Sequence, residues 1–304
     1  MEKNNNSINS ISDVHRLFGL PKPLHPLISL IDNTTNKIDS RKLPQAHVLN
    51  FYKISYKTKL NGKLTYGQGY YDFDEGGLLF ASPKQVIGSH GADDVSEHAG
   101  YTLLIHPDFL LGHPIAKKIK QYGFFSYAVN EALHLSDQEK ATIMVIFKII
   151  DEELNSRIDD FSQNVIIAQI ELLLNYGDRF YKRQFITRKA ANNDLLQKLE
   201  DLLDDHFTHE KSFTQGVPTV QYLADQLNIS ASYLSDMLRS LTGQNAQQLI
   251  HHKLVEKAKE ILSTSDLSVA EIAYQLGFEH PQSFSRLFKT KTMLSPLAFR
   301  KSFN

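Results

Sequence analysis

The chain of 304 residues contains no cysteine. Disulfides, thiolate metal ligands and sulfur nucleophiles are therefore all excluded. It also has no apolar run near the ~18 residues that cross a bilayer; the patch around Ile143–Ile150 is short and interrupted by Lys148. The polar, Asn-rich start, Met1–Ser10, lacks the charged end and apolar stretch of a secretion signal. These absences predict a cytoplasmic protein with no membrane partner. There is no excess of positive charge either: 33 Lys and Arg face 34 Asp and Glu, a net charge of −1. A general polyanion-coating protein would need a basic surface that this chain does not supply.

Charge is unevenly placed, however. From Pro281 to Asn304 the only charged residues are basic: Arg286, Lys289, Lys291, Arg300 and Lys301. Acid gathers earlier, at Asp194, Glu200, Asp201, Asp204, Asp205 and Glu210. Local sign decides what a surface attracts.

The fold class expected is α+β. Residues 46–105 read as short strands: His47–Thr58 carries Phe51, Tyr52, Ile54 and Tyr56, and Asn61-Gly62 is a hairpin-turn signal. Such spacing suggests a small barrel or sandwich. Helices are expected over Pro107–Tyr122, Ser136–Glu153 and Ser162–Phe180. The polar stretch Lys182–Asn193 reads as a linker (182–193) between an N-terminal domain (1–181) and an all-helical C-terminal domain (194–302).

The C-terminal part repeats itself. In the first copy, about 218–241, Val220, Leu223, Ala224 and Leu227 line one helix; Asn228-Ile229-Ser230 breaks the period; Leu234, Met237, Leu238 and Leu241 line a second helix before Gly243. In the second copy, about 268–290, Ile272, Ala273 and Leu276 precede Gly277, then Phe278, then Phe284, Leu287 and Phe288. Small Ala224 and Ala273 allow close helix approach, and Ile229 and Phe278 plug the gap. The spacing is that of a helix-turn-helix, whose second helix can enter a major groove. Between the copies, about 245–262, Ile250, Leu254, Ala258 and Ile261 mark one continuous helix of ~27 Å, comparable to the ~34 Å between successive major-groove faces.

With these residues in place, the C-terminal region resembles the DNA-binding domain of the AraC/XylS family over roughly 194–302. The resemblance is carried by Ser268-Val269-Ala270-Glu271-Ile272-Ala273, Leu276-Gly277-Phe278, Ser283-Phe284-Ser285-Arg286-Leu287-Phe288-Lys289, Ser295-Pro296 and Phe299-Arg300, joined by Tyr233-Leu234-Ser235 and Leu241-Thr242-Gly243. It implies a bacterial regulator that meets double-stranded promoter DNA through two recognition helices. It further implies base contacts at Gln282, Ser283 and Arg286. Arg suits guanine and Gln suits adenine. Lys289, Lys291 and Ser285 suit phosphates, and His280 either reaches a phosphate or is simply exposed. On the first recognition helix Ser232, Ser235 and Asp236 face outward as candidate base contacts, with Arg239 as the phosphate candidate. Asp236 either accepts from cytosine N4 or pairs with Arg239 or Lys253.

Relatives of this kind often carry a cupin-like β-barrel for effector binding and dimerisation, and the β-rich 46–105 segment suggests the same arrangement. The partners so implied are a small-molecule effector, a second copy of the chain, and RNA polymerase if the protein is an activator. A metal-binding cupin would show an H-x-H pair, which is missing; His47, His90, His98 and His106 are scattered, so no metal or other cofactor is expected. Asp72 and Asp74 alone make no catalytic pair, and Tyr66, Tyr70, Tyr71, Phe73 and Phe80 form either an aromatic pocket or core. A cupin-type enzyme fused to a DNA-binding tail is the rival reading, and a non-enzyme is expected.

Overall fold

The computed structural model describes residues 7–36, 46–58, 60–66, 69–73, 76–88, 100–128, 131–156, 161–208 and 211–302. The chain divides into two compact units, Met1–Gln184 and Phe185–Asn304.

In the first unit β4 (Tyr52–Lys57) is the central strand of a five-stranded sheet. It pairs antiparallel with β7 (Gly77–Ala81) and β9 (Gly100–Ile105); β10 (Leu133–His134) and β2 (Ile28–Asp32) flank these. A second sheet joins β1 (Ser7–Ile8), β3 (Ala46–Leu49) and β8 (Val86–Gly88), and β5 (Leu60–Tyr66) pairs with β6 (Gly69–Phe73). Alternation along β4 sends Tyr52, Ile54 and Tyr56 to one face. There Tyr52 meets Phe125 at 5.2 Å, and Phe147 of α3 (Asp137–Asn155) stacks on Tyr101 at 5.6 Å. The opposite face carries Lys53, Ser55 and Lys57; beside them Leu104 and Ile31 pack with Leu49, Phe51 and with Ile11 and Val14 of α1 (Ile11–Phe18). Burying a side chain of this size contributes ~1.5–3 kcal/mol.

The described strands form open sheets and do not close into the barrel that the sequence suggests. Asn61-Gly62 is not a turn but lies inside β5, where the register with β6 shifts between Leu60 and Leu64; a glycine within a strand commonly marks such a bulge. The helix expected over Pro107–Tyr122 is broken into a 3-10 turn at Pro107–Leu110, the short α2 (Ile115–Lys118) and a further turn, because Gly112 (φ 85°) and Pro114 interrupt it. Ser136 caps α3 in a capping box with Glu139. Helix α4 (Ser162–Thr187) runs seven residues beyond the expected Phe180, and α5 (Lys189–Thr208) follows, so helix occupies most of 182–193. Side-chain partners hold the extension. Arg183 donates to Glu139 at 2.6 Å, and Gln184 accepts from the His134 amide at 2.8 Å.

Phe80 is core, 4.4 Å from Phe124 and 5.4 Å from Phe125. The side chains of Tyr66, Tyr70, Tyr71, Asp72 and Phe73, and Asp74, His90 and His98 entirely, lie outside the described residues.

The second unit is helical throughout its described residues. After α5 come α6 (Lys211–Gln215), α7 (Val220–Gln226), α8 (Ala231–Thr242), α9 (Ala246–Thr264), α10 (Val269–Gln275), α11 (Pro281–Thr292) and α12 (Pro296–Lys301). Nineteen residues make α9 ~28 Å long. Its buried stripe, Ile250, Leu254, Ala258 and Leu262, serves as the spine for α8, α10, α11 and α12.

Candidate nucleic-acid interface

Each half of the unit is a helix pair closed by the same local device. Thr219 caps α7, accepting from the Tyr222 amide, and Ser268 caps α10 in a reciprocal box with Glu271. Those bonds to Ser268 hold the Glu271 carboxyl below its ordinary value. The chain then reverses through left-handed backbone, Asn228 at φ 57° and Gly277 at φ 89°. The Ile229 amide bonds to the Ala224 carbonyl at 3.0 Å, and the Phe278 amide to the Ala273 carbonyl at 2.9 Å. Both alanines are fully buried, so the tight approach needs their small size.

Beyond the plug the copies differ by one residue. Ser230 directly follows Ile229 as the cap of α8, whereas Glu279 separates Phe278 from His280 at the start of α11. The two second helices are equally long and are offset by fifty positions. Asp236 and Arg286 therefore occupy equivalent places, as do Arg239 and Lys289.

Helix α11 is anchored by Phe284 and Phe288, with Phe278 and Phe299 at 5.6 and 5.5 Å. Its opposite side exposes Gln282, Ser283, Arg286 and Lys289, with Lys291 also exposed and Ser285 half-buried. Arg286, Lys289 and Lys291 form no ion pair among the described residues. Lys291 is close enough to His251 on α9 that its charge, after burial, helps to depress the imidazole's affinity for a proton. His280 is exposed and makes no capping bond.

Helix α8 is anchored by Tyr233, Leu234, Met237 and Leu238. Ser232, Ser235 and Asp236 are half-buried and Arg239 is exposed. Arg239 binds Asp236 at 2.6 Å. Lys253 pairs with Asp204 of α5 instead, at 3.0 Å. Of the two pairings open to Asp236 from sequence, the structure makes the one with Arg239.

Two supports escaped the sequence reading. Arg300, one of the tail's five cations, points inward and donates to the carbonyls of Leu262 and Leu267, tying α12 to the end of α9. The second turn also packs against the segment before α7. Buried Ser212 donates to the Gln275 carbonyl at 2.6 Å, and a Cβ on Gly277 would stand 2.5 Å from the backbone of Gly216. The close approach at Gly277 has no periodic signature.

Comparison with known proteins finds similar sequences for this unit. A family model described as a helix-turn-helix domain covers residues 223–302. The transcriptional activator RhaS of Salmonella paratyphi B is 31% identical over 149 residues, 49% of this chain and 51% of that protein. The chain thus spans about half the length of the curated relatives it matches. Among solved structures, the C-terminal domain of the response regulator yesN of Fusobacterium nucleatum is 34% identical, covering 33% of this chain and 96% of that one, with a TM-score of 0.29. An AraC-type DNA-binding protein of Chromobacterium violaceum is 16% identical, covering 38% and 96%, with a TM-score of 0.32. The match to a helix-turn-helix domain lies wholly within the second unit, and over its C-terminal half the chain is similar to transcriptional activators of the RhaS kind.

Proposed function

We propose that this protein is a sequence-specific DNA-binding transcription regulator, with α8 and α11 as its two recognition helices and α9 as their spacer. The observation that carries the reading is the outer face of α11. Gln282, Ser283 and Arg286 stand exposed opposite the Phe284–Phe288 anchor, in a segment without acidic residues. A groove-reading helix needs an apolar inner face and unspent donors outside.

Gln282, Ser283 and Arg286 are assigned to base edges, with Lys289, Lys291, Ser285 and His280 on phosphates. Ser232, Ser235 and Asp236 face the second groove segment, and Arg239 its backbone. The N-terminal unit is proposed as the effector-binding and dimerisation module, an open relative of a cupin-like barrel, with 182–193 as the domain boundary. Its partners in this reading are promoter DNA, a small-molecule effector, a second copy and, in activation, RNA polymerase in the cytoplasm. The curated relatives are described as transcriptional activators, which supports the regulator over the enzyme.

Mapping bound sites across the source genome, followed by salt titration on the recovered promoter and on random DNA, tests this. A recurrent motif bound ~10³-fold or more above random sequence is expected. Equal affinity for both DNAs overturns the proposal.

A further inference from the structure

Within the first unit, β4 holds two lysines on its Lys53–Ser55–Lys57 face. They stand four residues apart, so both side chains leave the same side of the sheet with Ser55 between them. Both are partly buried. Their cross-strand neighbours are Ala81 and Leu104 beside Lys53, and Gly77 and Gly100 beside Lys57. None of these carries a negative charge, and neither ammonium has a hydrogen bond or ion pair among the described residues. Burial, then the charge of nearby Lys57, lowers the Lys53 pKa to about 8; burial also lowers that of Lys57. Holding two partly buried cations on one face with no counter-ion among the described residues opposes folding.

The same face has prepared polar groups. The Ser55 hydroxyl lies 3.2 Å from that of Thr102, and Asn33 Nδ2 donates to Thr102 Oγ1 at 3.1 Å. Asn33 Oδ1 is buried with no hydrogen-bond partner. An unpaired buried acceptor is costly, and it asks for a donor just as the lysines ask for an anion. Asn33 follows β2, with its amide bonded to the Gly100 carbonyl. Because Gly100 is also the cross-strand partner of Lys57, Asn33 and Lys57 flank one backbone position. The apolar group Ile31, Leu104 and Phe51 walls the neighbouring end.

We propose that this face binds a small hydroxylated organic acid, whose carboxylate sits between Lys53 and Lys57 and whose hydroxyl donates to Asn33 Oδ1. The proposal rests on the N-terminal unit being the effector module, and it names the chemistry of the effector. A ligand of this class supplies together the counter-ion and the donor that the described residues do not. A neutral sugar supplies only the donor, and a simple carboxylate only the charge.

Sodium gluconate serves as probe on the full chain, with glucose and sodium propionate as controls at fixed ionic strength. Binding is read by calorimetry and by Tm. Gluconate is expected to bind saturably and raise Tm, propionate to bind more weakly, and glucose to do neither. Lys53→Gln and Lys57→Gln should each weaken gluconate about tenfold, the scale of one charge-assisted hydrogen bond, and the double variant should lose it. Without ligand the double variant should unfold cooperatively at or above the wild-type Tm, since two cations with no partner among the described residues are gone. Should it fail to fold, Lys53→Arg is expected to keep gluconate binding that Lys53→Gln loses. A wild type unresponsive to gluconate, a double variant that responds like wild type, or glucose matching gluconate overturns the proposal. Promoter binding measured alongside separates the two readings. Gluconate bound without any change in DNA affinity upholds the site and refutes the effector module. A neutral molecule that alters DNA affinity while gluconate does not bind leaves the module standing and refutes the acid site.

Discussion

Asp236 and Arg286 occupy the same position of two equivalent helices and carry opposite charge. On α8 the acid holds Arg239 at 2.6 Å, so the cation proposed for phosphate is already engaged. A largely accessible pair of this kind contributes ~0–1 kcal/mol to stability; in the proposed reading its larger consequence is to cancel charge on the face assigned to DNA. Replacing Asp236 with Ala should release Arg239, tighten binding to random DNA and steepen the log–log salt dependence by about one phosphate's worth, ~0.9 in slope. An unchanged slope in fluorescence titrations from low to high salt would contradict this. On α11 no described acid pairs with Arg286, and Arg286→Ala should cost ~1–3 kcal/mol on the specific site while relaxing preference at one base pair.

Two of the three left-handed glycines of the second unit, Gly243 and Gly277, separate conformational from steric cost. Gly243 ends α8 at φ 74° with nothing within 4 Å of a built Cβ, whereas Gly277 turns at φ 89° against the backbone of Ser212, Gly216 and Val217. Gly243→Ala should therefore cost ~1 kcal/mol, the left-handed penalty alone. Gly277→Ala should exceed it by at least ~1 kcal/mol, because the neighbouring backbone must move. Urea unfolding of both variants checks the order; equal losses would mean that the segment before α7 gives way freely.

At this scale the helix pairs were legible because their buried residues recur at 3, 4 and 7, with Ser, Thr, Asn or Gly at the ends. The N-terminal elements were less so. Asn61-Gly62 has turn chemistry but sits in a strand bulge, and barrel closure depends on pairings that no local pattern encodes. Lys182–Asn193 has a linker's composition, yet Arg183 and Gln184 find Glu139, His134 and the Ala132 carbonyl, which only the tertiary fold brings near. Arg300 was legible as a cation and not as a brace.

Across the whole molecule a charge of −1 hides a division of labour. Acid on α5 meets Lys253 of the spacer helix, and Glu256 and Glu260 meet Lys259 and Lys257, so much of α9 is self-neutralised. Among the described residues of the second unit, the cations without acidic partners, Arg286, Lys289, Lys291, Arg300 and Lys301, lie on and after α11. Non-specific attraction should accordingly be weak, and specificity should rest on few contacts. Lys289→Ala with Lys291→Ala should weaken binding to promoter and random DNA alike and lower the salt slope by up to ~2.

The most direct test compares Arg286→Ala with Arg239→Ala on one promoter recovered by genome-wide mapping, both assayed with the full chain at physiological salt. An asymmetric pair of recognition helices predicts a loss of about tenfold or more for Arg286→Ala and under about threefold for Arg239→Ala, whose side chain is already engaged by Asp236. Equal losses, or a larger loss at Arg239, would contradict the dominance of the second helix-turn-helix.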